Sequence, residues 1–248
     1  MAPSLKQQPK VQQQAAILVV DNDVAFRKLL HMALQRLGYL VYTATNGIEA
    51  LKLFAQIPFD LVLIDIMLPE MDGYTLCAEL RKRSIVPIIL VSALNQTEAI
   101  ARGFTLGADD FIAKPFYLSE VEVRLRALLR RTACLPQRAN APLNVYGDIV
   151  LNNTTHEVYI RGDWVHLSPT EFQLLACLLQ RSERPLSKEE LAQSIWGQAL
   201  NDTTSLVAVT IRRLREKIEP NPSKPVYLLT VRGFGYKFNT RGAGSMNL

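Results

Sequence analysis

Polar side chains stand at the ends of the apolar runs in the first half of this 248-residue sequence. Because the carboxyl ends of parallel strands lie along one edge of a sheet, such residues would meet in one pocket. Carboxylate oxygens bind Mg²⁺, a carboxylate can attack a phosphoryl group, and a hydroxyl and an ammonium can stabilise the phosphoryl oxygens. The sequence therefore predicts a pocket for phosphoryl chemistry on the protein itself. Its members would be Asp21, Asn22, Asp23, Asp65, Ser92 and Lys114.

Five short apolar runs predict the strands that carry this pocket. They are continuous rather than alternating, a pattern typical of strands buried on both faces of a parallel sheet, and segments of helical period separate them. We therefore predict a five-stranded, doubly wound parallel (βα)5 domain, of the α/β class, over residues 15–131. The runs occupy residues 17–20, 40–43, 59–64, 86–91 and 110–112.

The segments ILVVDND, LVLIDIMLPEMDG, PIILVSA and GADDFIAKPF together resemble the receiver domain of bacterial two-component response regulators. The resemblance implies that Asp65 is the phosphoacceptor. It also implies that Asp21, Asn22, Asp65 and the backbone carbonyl of Met67 surround a Mg²⁺ ion. A cis peptide bond would precede Pro115. The switch residues implied by the same resemblance are Ser92, Phe111 and Lys114.

Asn22 departs from the pattern of that family, which has two adjacent acids after the first strand. With Asn22, the charge of Asp21 and Asp65 in the pocket is −2 instead of −3, and Asp23 points in a different direction as the chain leaves the strand. In one interpretation, Mg²⁺ binds weakly and Asp65 is phosphorylated slowly. In the other, the regulator is independent of phosphorylation, and its receiver is a constitutive dimerisation or protein-docking module. We favour the first, because Asp65, Ser92 and Lys114 are all present.

The second half of the chain has a different pattern. Residues 132–143 contain two prolines and no helical period, which predicts a linker. Residues 144–167 alternate apolar and polar side chains, which predicts a small antiparallel sheet. Helices should begin after Ser168 and Ser187, each of which precedes a Glu at capping-box spacing, and a third helix should cover residues 203–218. With a final hairpin around Arg232-Gly233-Phe234-Gly235, residues 144–240 read as a winged helix-turn-helix.

Positive charge is concentrated at the end of this second half. Residues 205–241 hold eight of the 28 Lys and Arg residues and two of the 23 Asp and Glu residues. The third helix places Val207, Ile211, Leu214 and Ile218 on one apolar stripe, which leaves its arginines for the other side. Such a concentration is the electrostatic signature of a polyanionic partner.

LSPTEFQLL, SIWG, VTIRRLREKI and TVRGFGYKF resemble the OmpR/PhoB-type winged-helix effector domain across residues 144–240. The resemblance implies that the third helix enters the major groove of promoter DNA, with Arg213 and Val209 toward base edges. Arg232 would reach the minor groove. Residues near phosphates would be Trp196, Thr210, Arg212, Arg215, Thr230 and Tyr236.

The same family uses a face of its receiver for a symmetric homodimer. Asp110 and Arg124 match one ion pair across that dimer, and Glu120 matches an acid of another whose basic partner falls at Ile100 here. Exposed ion pairs contribute only about 0–1 kcal/mol each, so the missing partner weakens the predicted dimer without excluding it. The other implied partners are double-stranded promoter DNA, a cognate histidine kinase and RNA polymerase.

The remaining features exclude other classes of function. No apolar run approaches the roughly 18 residues of a membrane helix, and the three cysteines are widely spaced, so we expect a cytoplasmic protein with no membrane partner. No phosphate-binding glycine motif follows a strand, which argues against an enzyme beyond catalysis of its own phosphorylation and dephosphorylation. A docking module with vestigial DNA affinity is the other alternative. Residues 1–14 and 241–248 are predicted to be flexible tails.

Overall fold

The first half of the chain forms the predicted five-stranded parallel sheet, in the order β2-β1-β3-β4-β5. The computed structural model describes residues 14–93, 97–133, 143–153, 155–182, 184–197 and 204–240. Nearly all of the predicted tails and of the predicted linker therefore lie outside the described residues. The five strands are β1 (Ala16–Val20), β2 (Leu40–Ala44), β3 (Leu61–Asp65), β4 (Ile88–Ser92) and β5 (Asp110–Ala113).

Helices cover both faces of this sheet, which is why its central strands are buried along their whole length. Ile17 and Val19 of β1 pack on the side of α1 and α5, whereas Leu18 and Val20 pack on the side of α2, α3 and α4. The continuous apolar runs of the sequence reflect this two-sided burial. The helices are α1 (Val24–Arg36), α2 (Gly47–Phe54), α3 (Gly73–Arg81), α4 (Thr97–Leu106) and α5 (Leu118–Ala133).

The second half forms the predicted antiparallel sheet, three helices and hairpin. The strands of the sheet are β6 (Asn144–Tyr146), β7 (Ile149–Asn152), β8 (Glu157–Ile160) and β9 (Asp163–Val165). Three helices, α6 (Pro169–Gln180), α7 (Lys188–Trp196) and α8 (Thr204–Ile218), then lead to the hairpin of β11 (Leu228–Val231) and β12 (Gly235–Phe238). The short strand β10 (Leu186–Ser187), which the sequence pattern did not predict, pairs with β12.

Local sequence accounts for the position of these helices. Ser168 and Ser187 each form a complete capping box, with Glu171 and Glu190 respectively, so the predicted starts of α6 and α7 are confirmed. The apolar stripe of α8, predicted from its spacing, is buried against α6 and α7. None of the helices in the described part of the chain is long and apolar enough to cross a membrane.

Candidate phosphorylation site and nucleic-acid interface

Four polar residues meet at the carboxyl edge of the parallel sheet, as their positions at the strand ends predict. Asp21 follows β1, Asp65 and Ser92 end β3 and β4, and Lys114 follows β5. The Nζ atom of Lys114 lies 2.5 Å from Oδ2 of Asp65 and 3.0 Å from Oδ2 of Asp21. Both carboxylates and the Ser92 side chain are buried. The arrangement is a small anionic pocket whose two acids are bridged by one ammonium group.

Backbone groups fix the orientation of the two carboxylates. The Met67 amide donates to Oδ1 of Asp65 at 2.9 Å, and the Asp23 amide donates to Oδ1 of Asp21 at 2.8 Å. The close packing of α3 also restrains the end of β3, because a Cβ atom on Gly73 would lie 2.3 Å from the Asp65 carbonyl oxygen. Asp65 is therefore a carboxylate held in one position, as a nucleophile requires.

Burial, hydrogen bonds and neighbouring charges together shift the pKa values of Asp21 and Lys114. Burial raises the pKa of Asp21 above its ordinary value, and the charge of Asp65 adds to this, despite opposing hydrogen bonds from the Asp23 amide and Lys114. Burial alone would lower the pKa of Lys114, but its bonds and attraction to Asp65 and Asp21 outweigh that effect and raise it. Lys114 is thus a firmly charged group between two acids.

Asp23 does not replace the acid that is missing at position 22. Its carboxylate caps α1, accepting hydrogen bonds from the amides of Ala25 and Phe26 at 2.8 and 3.1 Å, and these bonds lower its pKa. Asn22 itself is exposed to solvent. Asp23 is therefore the N-cap residue of α1, at the end of the helix where a negative charge is favourable.

The pocket offers hard oxygen ligands of the kind Mg²⁺ prefers, though few of them are charged. The described residues contain no cluster of three or more His, Cys, Asp and Glu side chains suited to a metal ion. The donors that the sequence predicts for such an ion are two carboxylates, a backbone carbonyl at Met67 and the amide oxygen of Asn22. They suit Mg²⁺ in chemical type, but Lys114 bridges the same carboxylates and a metal ion would compete with it.

The other predicted switch features have definite positions. Phe111 on β5 is buried, with only 2% of its surface exposed, so this structure holds the aromatic ring inward. The Lys114–Pro115 peptide bond is cis, as predicted.

The predicted dimer residues pair with one another inside a single chain. Arg124 is 4% exposed, and its guanidinium lies 3.1 Å from the Asp110 carboxylate and 2.8 Å from that of Glu120. In this conformation, the charge of Arg124 on α5 is therefore neutralised by Asp110 of β5 and Glu120 of α5 within the same chain.

The predicted DNA contacts divide into exposed and buried residues. Arg212, Thr230 and Arg232 are exposed, and Val209 and Arg215 are half-buried. Arg215 donates to the Leu228 carbonyl and to Thr230 Oγ1, which fastens α8 to the hairpin. The buried members of the predicted set are Trp196, Thr210, Arg213 and Tyr236.

Arg213 and Trp196 are buried partly because the receiver covers them. Arg213 donates to the Phe104 carbonyl of α4 at 3.1 Å and forms an ion pair with Glu171 of α6 at 2.6 Å. The indole N–H of Trp196 donates to the Asp109 carbonyl at 3.3 Å, and its ring meets that of Phe104 edge to face. The predicted base-reading arginine is thus turned away from solvent.

Asp109 is a residue whose importance we did not predict. Its carboxylate is completely buried and accepts hydrogen bonds from Arg81 at 2.7 Å, from the Ile88 amide at 3.1 Å and from the Thr170 amide of α6 at 3.3 Å. The signal in the sequence was an acid inside an apolar run, GADDFIA, with Asp110 beside it. An acid in such a run needs a buried partner, although only the fold identifies the partner as Arg81.

Comparison with family models assigns both halves of the chain. Residues 17–126 match the response regulator receiver domain, and residues 162–238 match the C-terminal domain of transcriptional regulatory proteins. The chain belongs to the OmpR/PhoB-type family of response regulators. This response regulator therefore carries a receiver domain followed by a DNA-binding domain, and it is a transcriptional regulator.

Similar proteins span nearly the whole response regulator. The probable transcriptional regulator ycf27 of Guillardia theta is 40% identical over 227 residues, which cover 90% of this chain and 89% of that protein. The DNA-binding dual master transcriptional regulator RpaA of Synechocystis is 38% identical over 224 residues, covering 89% and 93% of the two chains. A solved mutant of RitR superposes with a TM-score of 0.70 at 26% identity, over 91% of this chain and 99% of that one.

Proposed function

We propose that this response regulator slowly accepts a phosphoryl group at Asp65 from a cognate histidine kinase and that this modification controls its dimerisation, and through it the binding of promoter DNA. The observation that carries the proposal is the fixed Asp65 carboxylate, held between the Met67 amide at 2.9 Å and the Lys114 ammonium at 2.5 Å. A buried carboxylate beside a cation can act as a nucleophile toward phosphorus while the cation stabilises the charge that develops on the phosphoryl oxygens.

In the proposed step, an oxygen of Asp65 forms a bond to phosphorus and the P–N bond of a phosphohistidine breaks. The leaving imidazole keeps the bonding electron pair and is protonated. Lys114 is placed to hold the phosphoryl group, and Ser92 at the end of β4 offers a hydroxyl on the same edge. Mg²⁺, when bound by Asp21, Asp65, the Met67 carbonyl and Asn22, supplies charge neutralisation of the phosphoryl oxygens.

Intact-protein mass spectrometry tests this step. The purified chain is incubated with Mg²⁺ and acetyl phosphate or a phosphoramidate, and we expect the mass of one phosphoryl group to be added slowly. Asp65→Ala should abolish the addition. Asn22→Asp should accelerate it about tenfold and lower the Mg²⁺ concentration required, because it restores a charged ligand for a hard cation.

Two outcomes of that experiment would contradict the proposal. If only Asn22→Asp is phosphorylated, then the natural pocket is a relic and the receiver regulates without phosphorylation. Addition that persists in Asp65→Ala would place the phosphoryl group on another residue.

For DNA, we propose that α8 enters the major groove with Arg213 and Val209 toward base edges and Arg232 of the hairpin in the minor groove. Residues near phosphates would be Arg212, Arg215, Thr210, Trp196, Thr230 and Tyr236. Support comes from the exposure of Arg212 and Arg232 and from the name of RpaA, which describes that relative as DNA-binding. We further propose a homodimer that uses Asp110, Glu120 and Arg124, with RNA polymerase as the downstream partner.

Selection from a library of tandem-repeat duplexes tests the DNA proposal. The protein should enrich a repeated sequence, and Arg213→Ala should relax the preference at one base position at a cost of about 1–3 kcal/mol. Arg232→Ala, a change outside α8, should weaken binding with a smaller effect on the major-groove positions. An absence of sequence preference that Arg213→Ala leaves unchanged would contradict the proposal and favour a docking module.

A further inference from the structure

An aromatic ring lies beside the Lys114 ammonium, in addition to the two acids of the pocket. The Nζ atom of Lys114 lies 4.2 Å from the centroid of the Phe26 ring. The same atom lies 2.5 Å from Oδ2 of Asp65 and 3.0 Å from Oδ2 of Asp21. The face of an aromatic ring attracts a cation that lies within about 6 Å of its centroid. Two carboxylates and the face of one ring therefore hold this ammonium.

The first turn of α1 fixes the backbone that carries this ring. Phe26 is the third residue of α1, and its amide donates to Oδ1 of the N-cap residue Asp23 at 3.1 Å. The next residue, Arg27, donates its amide to the Asp23 carbonyl at 2.9 Å and its guanidinium to the Asp21 carbonyl at 2.6 Å. These bonds fasten the start of α1 to the end of β1. Asp23, whose carboxylate caps the helix instead of entering the pocket, thereby holds the Phe26 backbone beside the pocket.

A second ring, that of Phe116, restrains the Phe26 ring. The two ring centroids lie 5.5 Å apart with their planes at 75°, an edge-to-face contact that is favourable beyond the area it buries. Phe116 follows Lys114 by two positions, so the contact joins α1 to the segment that carries the ammonium. An apolar side chain of any type could cover the stem of Lys114, but only an aromatic face also attracts its charge.

We propose that Phe26 is a positioning residue for phosphoryl transfer to Asp65, and that the face of its ring holds the Lys114 ammonium in place during the transfer. The inference rests on the proposed phosphorylation of Asp65. When Asp65 forms its bond to phosphorus, its carboxylate loses its charge, and the phosphoryl oxygens bring new negative charge to the pocket. The ammonium must then exchange a carboxylate oxygen for a phosphoryl oxygen.

The ring keeps its attraction for the ammonium throughout this exchange. Of the two carboxylates that Lys114 contacts, only Asp21 retains its charge once Asp65 is modified, and position 22 supplies an amide instead of a third acid. The attraction of the Phe26 ring does not depend on the state of Asp65. An ammonium that is already in position needs no reordering in the transition state, and this raises the rate of transfer.

Fluorination of the Phe26 ring separates attraction from packing. Fluorine withdraws electron density from the ring face, which weakens the attraction for a cation, while the ring remains apolar and nearly unchanged in size. Mono-, di- and trifluorinated phenylalanine are placed at position 26 of the full chain. The matched control is the same series at Phe59, a buried residue of the same domain whose ring packs on those of Tyr42 and Phe54. Phe26→Leu, which keeps an apolar side chain without a ring face, completes the set.

The phosphoryl donor is acetyl phosphate with Mg²⁺, and intact-protein mass spectrometry gives the rate at a series of donor concentrations. In this reaction an oxygen of Asp65 bonds to phosphorus, the bond from phosphorus to the acetyl oxygen breaks, and acetate leaves with the bonding electron pair. We expect the rate at saturating donor to fall with each fluorine at Phe26, by about fivefold with three, and by at least as much in Phe26→Leu. The donor concentration that gives half of the maximal rate should not change. The Phe59 series should keep the natural rate.

Three outcomes would overturn the inference. A rate that stays constant along the fluorinated series at Phe26 while Phe26→Leu slows the reaction would show that the ring only packs on the stem of Lys114. A rise in the half-saturating donor concentration at an unchanged maximal rate would place Phe26 in donor binding instead. In both cases the proposed phosphorylation of Asp65 stands. If the natural protein is not phosphorylated at all, the proposed function fails and the positioning role fails with it.

NMR spectroscopy of lysine-labelled protein measures the contact itself, without any phosphoryl donor. Protons next to the Lys114 ammonium lie over the face of the Phe26 ring, so the ring current should shift their resonances upfield from those of Lys28, an exposed lysine on α1. Phe26→Leu should remove this shift and leave the resonances of Lys28 unchanged. Resonances of Lys114 that coincide with those of Lys28 in the natural protein and do not respond to Phe26→Leu would overturn the inference.

Discussion

Replacing Asp109 by alanine should strongly destabilise the protein, although this residue belongs to neither the proposed phosphorylation site nor the proposed DNA surface. Its carboxylate is completely buried, and the Arg81 side chain that it neutralises is 11% exposed. Removal of one member of a buried ion pair leaves the other charge without a partner in a poorly solvated place. Such changes typically cost about 3–5 kcal/mol of unfolding free energy.

Other contacts around Asp109 change the expected loss of unfolding free energy, one by increasing it and others by reducing it. The Ile88 amide loses its acceptor, and an unsatisfied buried amide costs about 1–3 kcal/mol. Arg81 keeps the carbonyls of Gly107 at 2.9 Å and Val86 at 2.6 Å, which softens the loss of its anion. We therefore expect about 4 kcal/mol for Asp109→Ala. For Asp109→Asn, which keeps one acceptor oxygen but loses the charge and replaces the other oxygen by an NH2 donor, we expect about 2 kcal/mol.

Urea unfolding followed by circular dichroism measures these values. Glu79→Ala is the control, since it removes a partly exposed acid that pairs with the exposed Lys82 and should change stability far less than either variant at position 109. A double-mutant cycle with Arg81→Met isolates the pair. A loss below about 1 kcal/mol for Asp109→Ala, or additive effects of the two changes, would refute the argument that a buried charge pair holds this part of the receiver.

Two further predictions concern ionisable groups. Lys114→Met should strengthen Mg²⁺ binding, because the ammonium competes with the metal, and this would appear as a larger Mg²⁺-induced rise in Tm. The same change should slow phosphorylation, because the ammonium stabilises the phosphoryl group. A Mg²⁺-induced rise in Tm equal to that of the natural protein would contradict this competition. Burial lowers the pKa of His156, so the unfolded chain takes up the proton first and stability should fall as the pH drops below about 6.5. Urea titrations at about pH 7.5 and about pH 5.5 should show that the unfolding free energy falls less in His156→Asn than in the natural protein. Asn is chosen because it tolerates the positive φ of 58° at this position. An equal fall in the two proteins would refute this assignment.

Parts of the candidate site could be predicted because strand ends and helix faces are consequences of local pattern. Asp21, Asp65, Ser92 and Lys114 had to meet once the apolar runs formed neighbouring parallel strands. The apolar residues of α8 that face the core were predicted in the same way, because they recur every three or four positions along the helix. The cap formed by Asp23 agrees with the expectation that it would not replace the acid missing at position 22.

Other roles depended on a choice between partners that the sequence leaves open. Arg124 could pair across a dimer or within its own chain, and in this structure it lies against Asp110 and Glu120 of the same chain. Arg213 could face solvent or the receiver, and it lies against Phe104 and Glu171. Long charged side chains reach several partners of similar energy, so burial decides among them.

The sequence alone determined the α/β receiver, the winged helix-turn-helix, the polar pocket at the sheet edge and the basic end of the chain. These depend on the period of apolar residues and on capping and turn chemistry, which act over a few residues. Only the tertiary structure decided that α4 covers α8 and that Asp109 joins Arg81 to α6. Those contacts join residues about 30 to 110 positions apart, where no local period carries information and the tertiary packing selects which polar groups are buried together.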